Sequence, residues 1–99
     1  MNYSELVVLA KEIHERILDK IEKHEAFSFI FCSEKTEMCM QFKPEYIKVD
    51  TDMCEISDGL DSSIHIETRE VTHIYKEEEI DGNLYSLSFK NGTQMIIMV

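Results

Sequence analysis

Tryptophan is absent from this chain, proline occurs once, glycine three times, and lysine plus arginine only ten times against twenty aspartates and glutamates. Each shortage excludes something. Ten bases under a net charge of −10 cannot neutralise a phosphate backbone, so direct nucleic-acid binding is not expected. Few glycines and prolines beside 43% apolar residues argue against a disordered chain. No apolar run approaches the roughly 20 residues that span a bilayer. Met1 precedes a polar start and a charged helical stretch, so no secretory leader and no membrane segment are expected. Three cysteines, Cys32, Cys39 and Cys54, without a Cys-x-x-Cys pair argue against a disulfide framework and point to a reducing, cytoplasmic setting. No GxGxxG, P-loop or GxSxG motif occurs, and the chain is not expected to be an enzyme. Its 99 residues fit a single domain, 1–99, with one core and no cleft between domains.

What is present follows two periods. Over residues 3–25, Leu6, Leu9, Ala10, Ile13, Ile17 and Ile21 recur three and four apart, which predicts an amphipathic helix. Asn2 or Ser4 can cap its start, with Glu5 in the first turn where the helix dipole favours an acid. Glu12 and Arg16, four apart, are placed to pair on the solvent face. Val7, His14 and Leu18 widen the apolar stripe. After Glu25 the period becomes two. Phe27, Phe29 and Phe31 alternate with Ser28, Ile30 and Cys32, and Met38, Met40 and Phe42 alternate with Cys39 and Gln41. A turn centred on Lys35-Thr36 would set Phe31 against Met40, Phe29 against Phe42 and Cys32 against Cys39. One side of that hairpin would be wholly apolar and buried. Lys43-Pro44 breaks the strand. Tyr46 to Val49 reads as a short third strand, and residues 50–62 as an acidic loop hinged at Gly59.

Two hairpin signals, Asp81-Gly82 and Asn91-Gly92, punctuate the C-terminal third. With each pair at the centre of a two-residue turn, Ile74 faces Phe89, Tyr85 faces Met98, and Leu87 faces both Lys76 and Ile96. A looser turn at Thr68-Arg69-Glu70 would bring Ile64 opposite Ile74 and His65 opposite His73. One side of this meander then collects Ile64, Ile66, Ile74, Tyr85, Leu87, Phe89, Ile96 and Met98 as core. Met95, Ile97 and Val99 fall on the other side of an apolar last strand, which is a liability unless covered. Either that strand pairs with the Phe27–Phe31 strand and closes a partial barrel, or Met95, Ile97 and Val99 form a dimer or strand-edge contact. The predicted fold class is α+β: an N-terminal amphipathic helix packed on a bent antiparallel sheet of about six to seven strands. In element order this resembles the Sm-like and pleckstrin-type small β-domains. No motif of either is present, and the acidic charge opposes the RNA role that an Sm-like resemblance implies.

Metal chemistry has two candidate settings. His65, His73 and Glu67 would share one face and could approach a zinc ion, but no fourth ligand is apparent. The Asp50-to-Asp61 stretch departs from the calcium-loop pattern, because Cys54 and Glu55 occupy its fifth and sixth positions. No metal and no cofactor are therefore expected. No histidine is placed to activate a cysteine. Charge is the stronger signal: between Glu45 and Asp81 twelve acids meet three bases, which is −9 of the −10. Complementary potential favours a basic protein partner. The expected function is a small acidic protein-interaction domain that binds and inhibits a basic nucleic-acid-processing partner, such as a nuclease. Its surface carboxylates would imitate phosphates, the class to which immunity and phage anti-defence proteins belong. The residues expected to bind are Asp50, Asp52, Glu55, Asp58, Asp61, Glu77, Glu78, Glu79 and Asp81. The alternative is a structural or regulatory homodimer assembled through the apolar C-terminal strand.

Overall fold

In the computed structural model, which describes residues 2–99, helix α1 covers Tyr3–Lys23. The Asn2 side chain caps it, accepting from the Glu5 N–H at 2.9 Å. His24, left-handed at φ 57°, closes the other end two residues before the sequence period suggested. Ile13 and Ile17 are buried, and Leu6, Leu9 and Ile21 pack against the same core. Of the residues that widen the stripe, Val7 and His14 are half-buried and Leu18 stays exposed.

Eight antiparallel strands follow: β1 (Phe27–Cys32), β2 (Glu37–Phe42), β3 (Tyr46–Val49), β4 (Met53–Ser57), β5 (Ser63–Glu67), β6 (Val71–Glu79), β7 (Gly82–Phe89) and β8 (Gln94–Met98). Five form one sheet in the order β2-β1-β8-β7-β6, and three form a second in the order β3-β4-β5. A 3-10 turn at Thr68–Glu70 carries the chain from the second sheet to the first. Neither sheet closes into a barrel; β2 and β6 remain the edges of the larger one. The inner faces of both sheets and the helix stripe share one core, centred on Ile17, Phe27, Ile56, Tyr85 and Ile97. Full burial of each such side chain contributes about 1.5–3 kcal/mol.

The C-terminal strand is covered by its own chain. β8 pairs with β1 on one side and β7 on the other, as the internal alternative required. Met95, Ile97 and Val99 lie in the core at 5%, 0% and 6% exposure. They are therefore not available as a strand-edge contact.

Several predicted registers are corrected. Ser33 to Thr36 form a four-residue loop, so Phe31 faces Met38 and Phe29 faces Met40. Cys39 lies opposite Ile30 and Cys32 opposite Glu37, so the two cysteines do not face each other. This two-residue offset keeps the apolar face, but Met38 and Met40 remain exposed on it because no element covers the end of β2. The acidic stretch 50–62 is not one loop: Met53–Ser57 is the central strand of the second sheet. The β6–β7 turn centres on Ile80-Asp81 rather than Asp81-Gly82, which sets Ile74 against Leu87 and Lys76 against Tyr85. The β7–β8 connection has three residues, Lys90 to Gly92, with the Phe89 N–H donating to the Thr93 carbonyl at 3.0 Å and Gly92 left-handed. That one-residue difference turns β8 over. Met95, Ile97 and Leu87 share the core face, and Ile96 and Met98 lie on the opposite face. Ile64 and Ile74 belong to different sheets and do not pair.

Candidate functional site

The nine predicted partner-binding acids fall into separate places. Asp50 shapes the β3–β4 turn, where its Oδ1 accepts from the N–H groups of Asp52 at 2.9 Å and Met53 at 3.0 Å. Asp52 pairs with Arg69 at 2.6 Å, and Glu55 meets His65 at 3.3 Å across β4 and β5. Asp58 holds the β4–β5 loop by accepting from Leu60 and Ser62 N–H groups at 2.9 and 3.2 Å. Asp61 meets only the Ser62 hydroxyl, at 3.5 Å. Asp50 and Asp58 thus shape turns, while Asp52 and Glu55 are engaged with Arg69 and His65.

The β6–β7 hairpin end differs. Glu77, Glu79 and Asp81 make no ion pair and no side-chain hydrogen bond among the described residues, and Glu78 only approaches Lys76 at 3.6 Å. The one lysine of β6 lies on the other face of the strand from Glu77 and Glu79. Lys76 points inward to Glu12 of α1, which also accepts from the Tyr85 hydroxyl at 2.8 Å. Those two hydrogen bonds hold the Glu12 carboxyl below its ordinary range, and the Glu12 bond raises Lys76. Burial, then the Glu12 carboxylate, raises Tyr85. Glu12 therefore does not form the predicted pair with Arg16. The Arg16 guanidinium instead faces the Asn83 side-chain amide, whose oxygen accepts from it at 2.8 and 3.0 Å once the amide is turned to satisfy both groups. Strand alternation puts Lys76 on the inner face with Ile74, and the outward positions of β6 carry Tyr75, Glu77 and Glu79 with no lysine or arginine.

Beside that edge lies an uncovered sheet face. Ile30, Ile96, Ser86 and Tyr75 form one row across β1, β8, β7 and β6; Ser28, Met98, Leu84 and Glu77 form the next. No residue in either row is buried, and none is a lysine or arginine. Tyr75 is 57% exposed, and Ile80 is fully exposed at the hairpin tip among the acids. Sequence periodicity puts Met95 and Ile97 on this face; the observed β8 register, one residue different, puts Ile96 and Met98 there instead.

The other candidate chemistries separate. His65 faces Glu55 in the second sheet, and His73 faces Ser88 in the first, so the proposed histidine pair does not form. No group of three or more His, Cys, Asp or Glu is arranged to hold a metal ion among the described residues. Burial pushes the Cys54 thiol up to about 11, which makes it a neutral thiol rather than a thiolate at neutral pH. No helix among the described residues is long and apolar enough to cross a membrane. The chain matches no protein-family model, no curated protein and no solved structure.

Proposed function

We propose that the protein is an acidic interaction domain that binds and inhibits a basic, nucleic-acid-processing protein, with the β6–β7 hairpin as its docking end. One observation carries this reading. Glu77, Glu79 and Asp81 are unpaired acids placed beside the exposed Tyr75 and Ile80. Unpaired charge steers encounter, and exposed aromatic and aliphatic groups supply the area that becomes buried on docking. The turn-shaping Asp50 and Asp58 and the Arg69-paired Asp52 contribute long-range field more than contact. An immunity or anti-defence role, with carboxylates occupying a phosphate-binding groove, is the specific form of this proposal.

The test uses a panel of cationic nuclease domains, with their nucleic-acid substrates as competitors. Association with a cognate member should slow steeply as salt rises, because exposed charges are screened beyond roughly 8–10 Å at physiological ionic strength. Nucleic acid should compete. Reversing Glu77, Glu79 and Asp81 together to Lys should abolish capture while leaving the melting temperature unchanged. Single reversals should matter little, since an exposed pair is worth only about 0–1 kcal/mol. A triple variant that binds as tightly as the parent, or nucleic acid and this protein bound together, rejects the reading.

A further inference from the structure

We infer that β2 is a self-association edge, at which a second copy of this chain adds its own β2 antiparallel and joins two five-stranded sheets into one. The inference is independent of the acidic docking end, which sits on the opposite edge of the sheet. The two edges are four strand spacings apart, about 19 Å.

β2 pairs only with β1, in a regular six-pair ladder with no bulge. Its outer side therefore presents a straight row of unpaired backbone groups. Met38 and Met40, 48% and 37% exposed, carry the apolar inner face of the sheet out to that edge. An open cleft of about 700 Å³ lies beside it, between Met40, Phe42 and the exposed Leu60. The core thus reaches the edge of the molecule there without being covered.

Charge selects a second copy and its register. Residues 26–44 carry two acids and two bases, so this hairpin is locally neutral in a chain of net −10. Glu37 and Lys43 stand three residues either side of Met40, both exposed, and neither forms an ion pair among the described residues. A two-fold axis through Met40 sets Glu37 opposite Lys43 of the second copy, and Lys43 opposite its Glu37. The same register places Met40 against Met40 on the apolar face. Moving by two residues one way sets Lys35 against Lys43; moving the other way sets Glu37 against Glu45. An odd shift turns apolar side chains to the wrong face. Of these three registers only the one about Met40 pairs opposite charges while keeping sidedness, and it is a self-complementary arrangement of the kind a closed two-fold dimer requires.

The test is sedimentation of the full chain over a concentration series, run beside charge and cysteine variants. The parent should show a concentration-dependent dimer. Lys43→Glu should weaken it roughly tenfold, as expected when two weak pairs become two repulsions. The swap Glu37→Lys with Lys43→Glu should restore it, and far-UV circular dichroism should match the parent throughout. In a Cys39→Ser background, Met40→Cys should cross-link copies on oxidation, because directly opposed residues have Cα atoms about 4.5–5.5 Å apart. Met38→Cys should not. A chain that stays monomeric, a dimer insensitive to Lys43→Glu, a swap that fails to restore association, or cross-linking at Met38 in place of Met40 would each overturn the inference.

Discussion

Strands β2 and β6 are the two edges of one sheet, and they handle that position in opposite ways. β6 ends in Glu77, Glu78 and Glu79, and its one lysine points inward to Glu12. A second β6 paired about Glu78 would set carboxylate against carboxylate, so like-charge repulsion disfavours self-pairing at that end of the edge. β2 is short and methionine-rich, its hairpin is neutral over residues 26–44, and the exposed Glu37 and Lys43 are symmetric about Met40. The comparison teaches that net charge says little about a given edge. The −9 concentrated between Glu45 and Asp81 falls largely on turns and on one side of the sheet, and leaves the other side neutral.

The largest expected effect comes from the strand that both edges depend on. Ile97, fully buried in β8, becomes an unpaired buried charge as Ile97→Lys. The cost should be on the order of 4–5 kcal/mol or more, against a total stability of roughly 5–15 kcal/mol for a domain. Circular dichroism should show an unfolded or barely folded chain. Hydrogen exchange on the milder Ile97→Ala, which should cost about 2–5 kcal/mol, sharpens the point. Amides of β1 and β7 should lose protection together. Loss on one side alone would mean that the two edges belong to separate cooperative units.

A smaller effect tests the root of the acidic hairpin. Gly82 has φ +145°, and a Cβ there would meet the Val99 carbonyl oxygen at 3.0 Å. Gly92, at φ +86°, has open space around it. Gly82→Ala should cost about 2 kcal/mol or more in denaturant unfolding, and Gly92→Ala about 1 kcal/mol. Equal costs would show that the chain end does not pack against the β6–β7 turn.

The smallest effect concerns the Glu12 cluster on the inner face of β6. Tyr85→Phe should cost about 1–2 kcal/mol by removing one hydrogen bond to a carboxylate. The pH dependence has two signs. The depressed Glu12 contributes stability above its ordinary value of 4.5, and that is lost as pH falls through its lower folded value. The raised Lys76 contributes below its ordinary 10.5, and that is lost as pH rises through its higher folded value. Lys76→Met should therefore flatten both limbs of a stability–pH curve. An unchanged acid limb would show that Lys76 does not hold Glu12 ionised.

Much of the architecture was legible locally. The helix and its Asn2 cap follow from side-chain periodicity and one hydrogen-bonding group. The Phe27–Phe31 alternation, the short Tyr46–Val49 strand and the two C-terminal hairpins follow from period two and from glycine turns. The strand Met53–Ser57 was hidden because Glu55 interrupts its apolar pattern and flanking acids made the stretch read as loop. The candidate surface was less legible than the fold. Acid composition named nine residues, but only packing distinguishes acids that build turns from acids left unpaired.

The sequence by itself determined that one helix and a set of antiparallel strands would form, that acids would crowd the later half, and that the last strand had to be covered. Those properties depend on side chains a few residues apart. Register was decided only by the tertiary structure. A glycine dipeptide marks a turn without saying whether the loop holds two residues or three, and that single residue chooses which face of β8 is core. Burial of Met95, Ile97 and Val99 between β1 and β7, against the helix and the second sheet, favours the three-residue loop. The free energy of that burial depends on every neighbouring strand at once, so no local window of sequence could contain it.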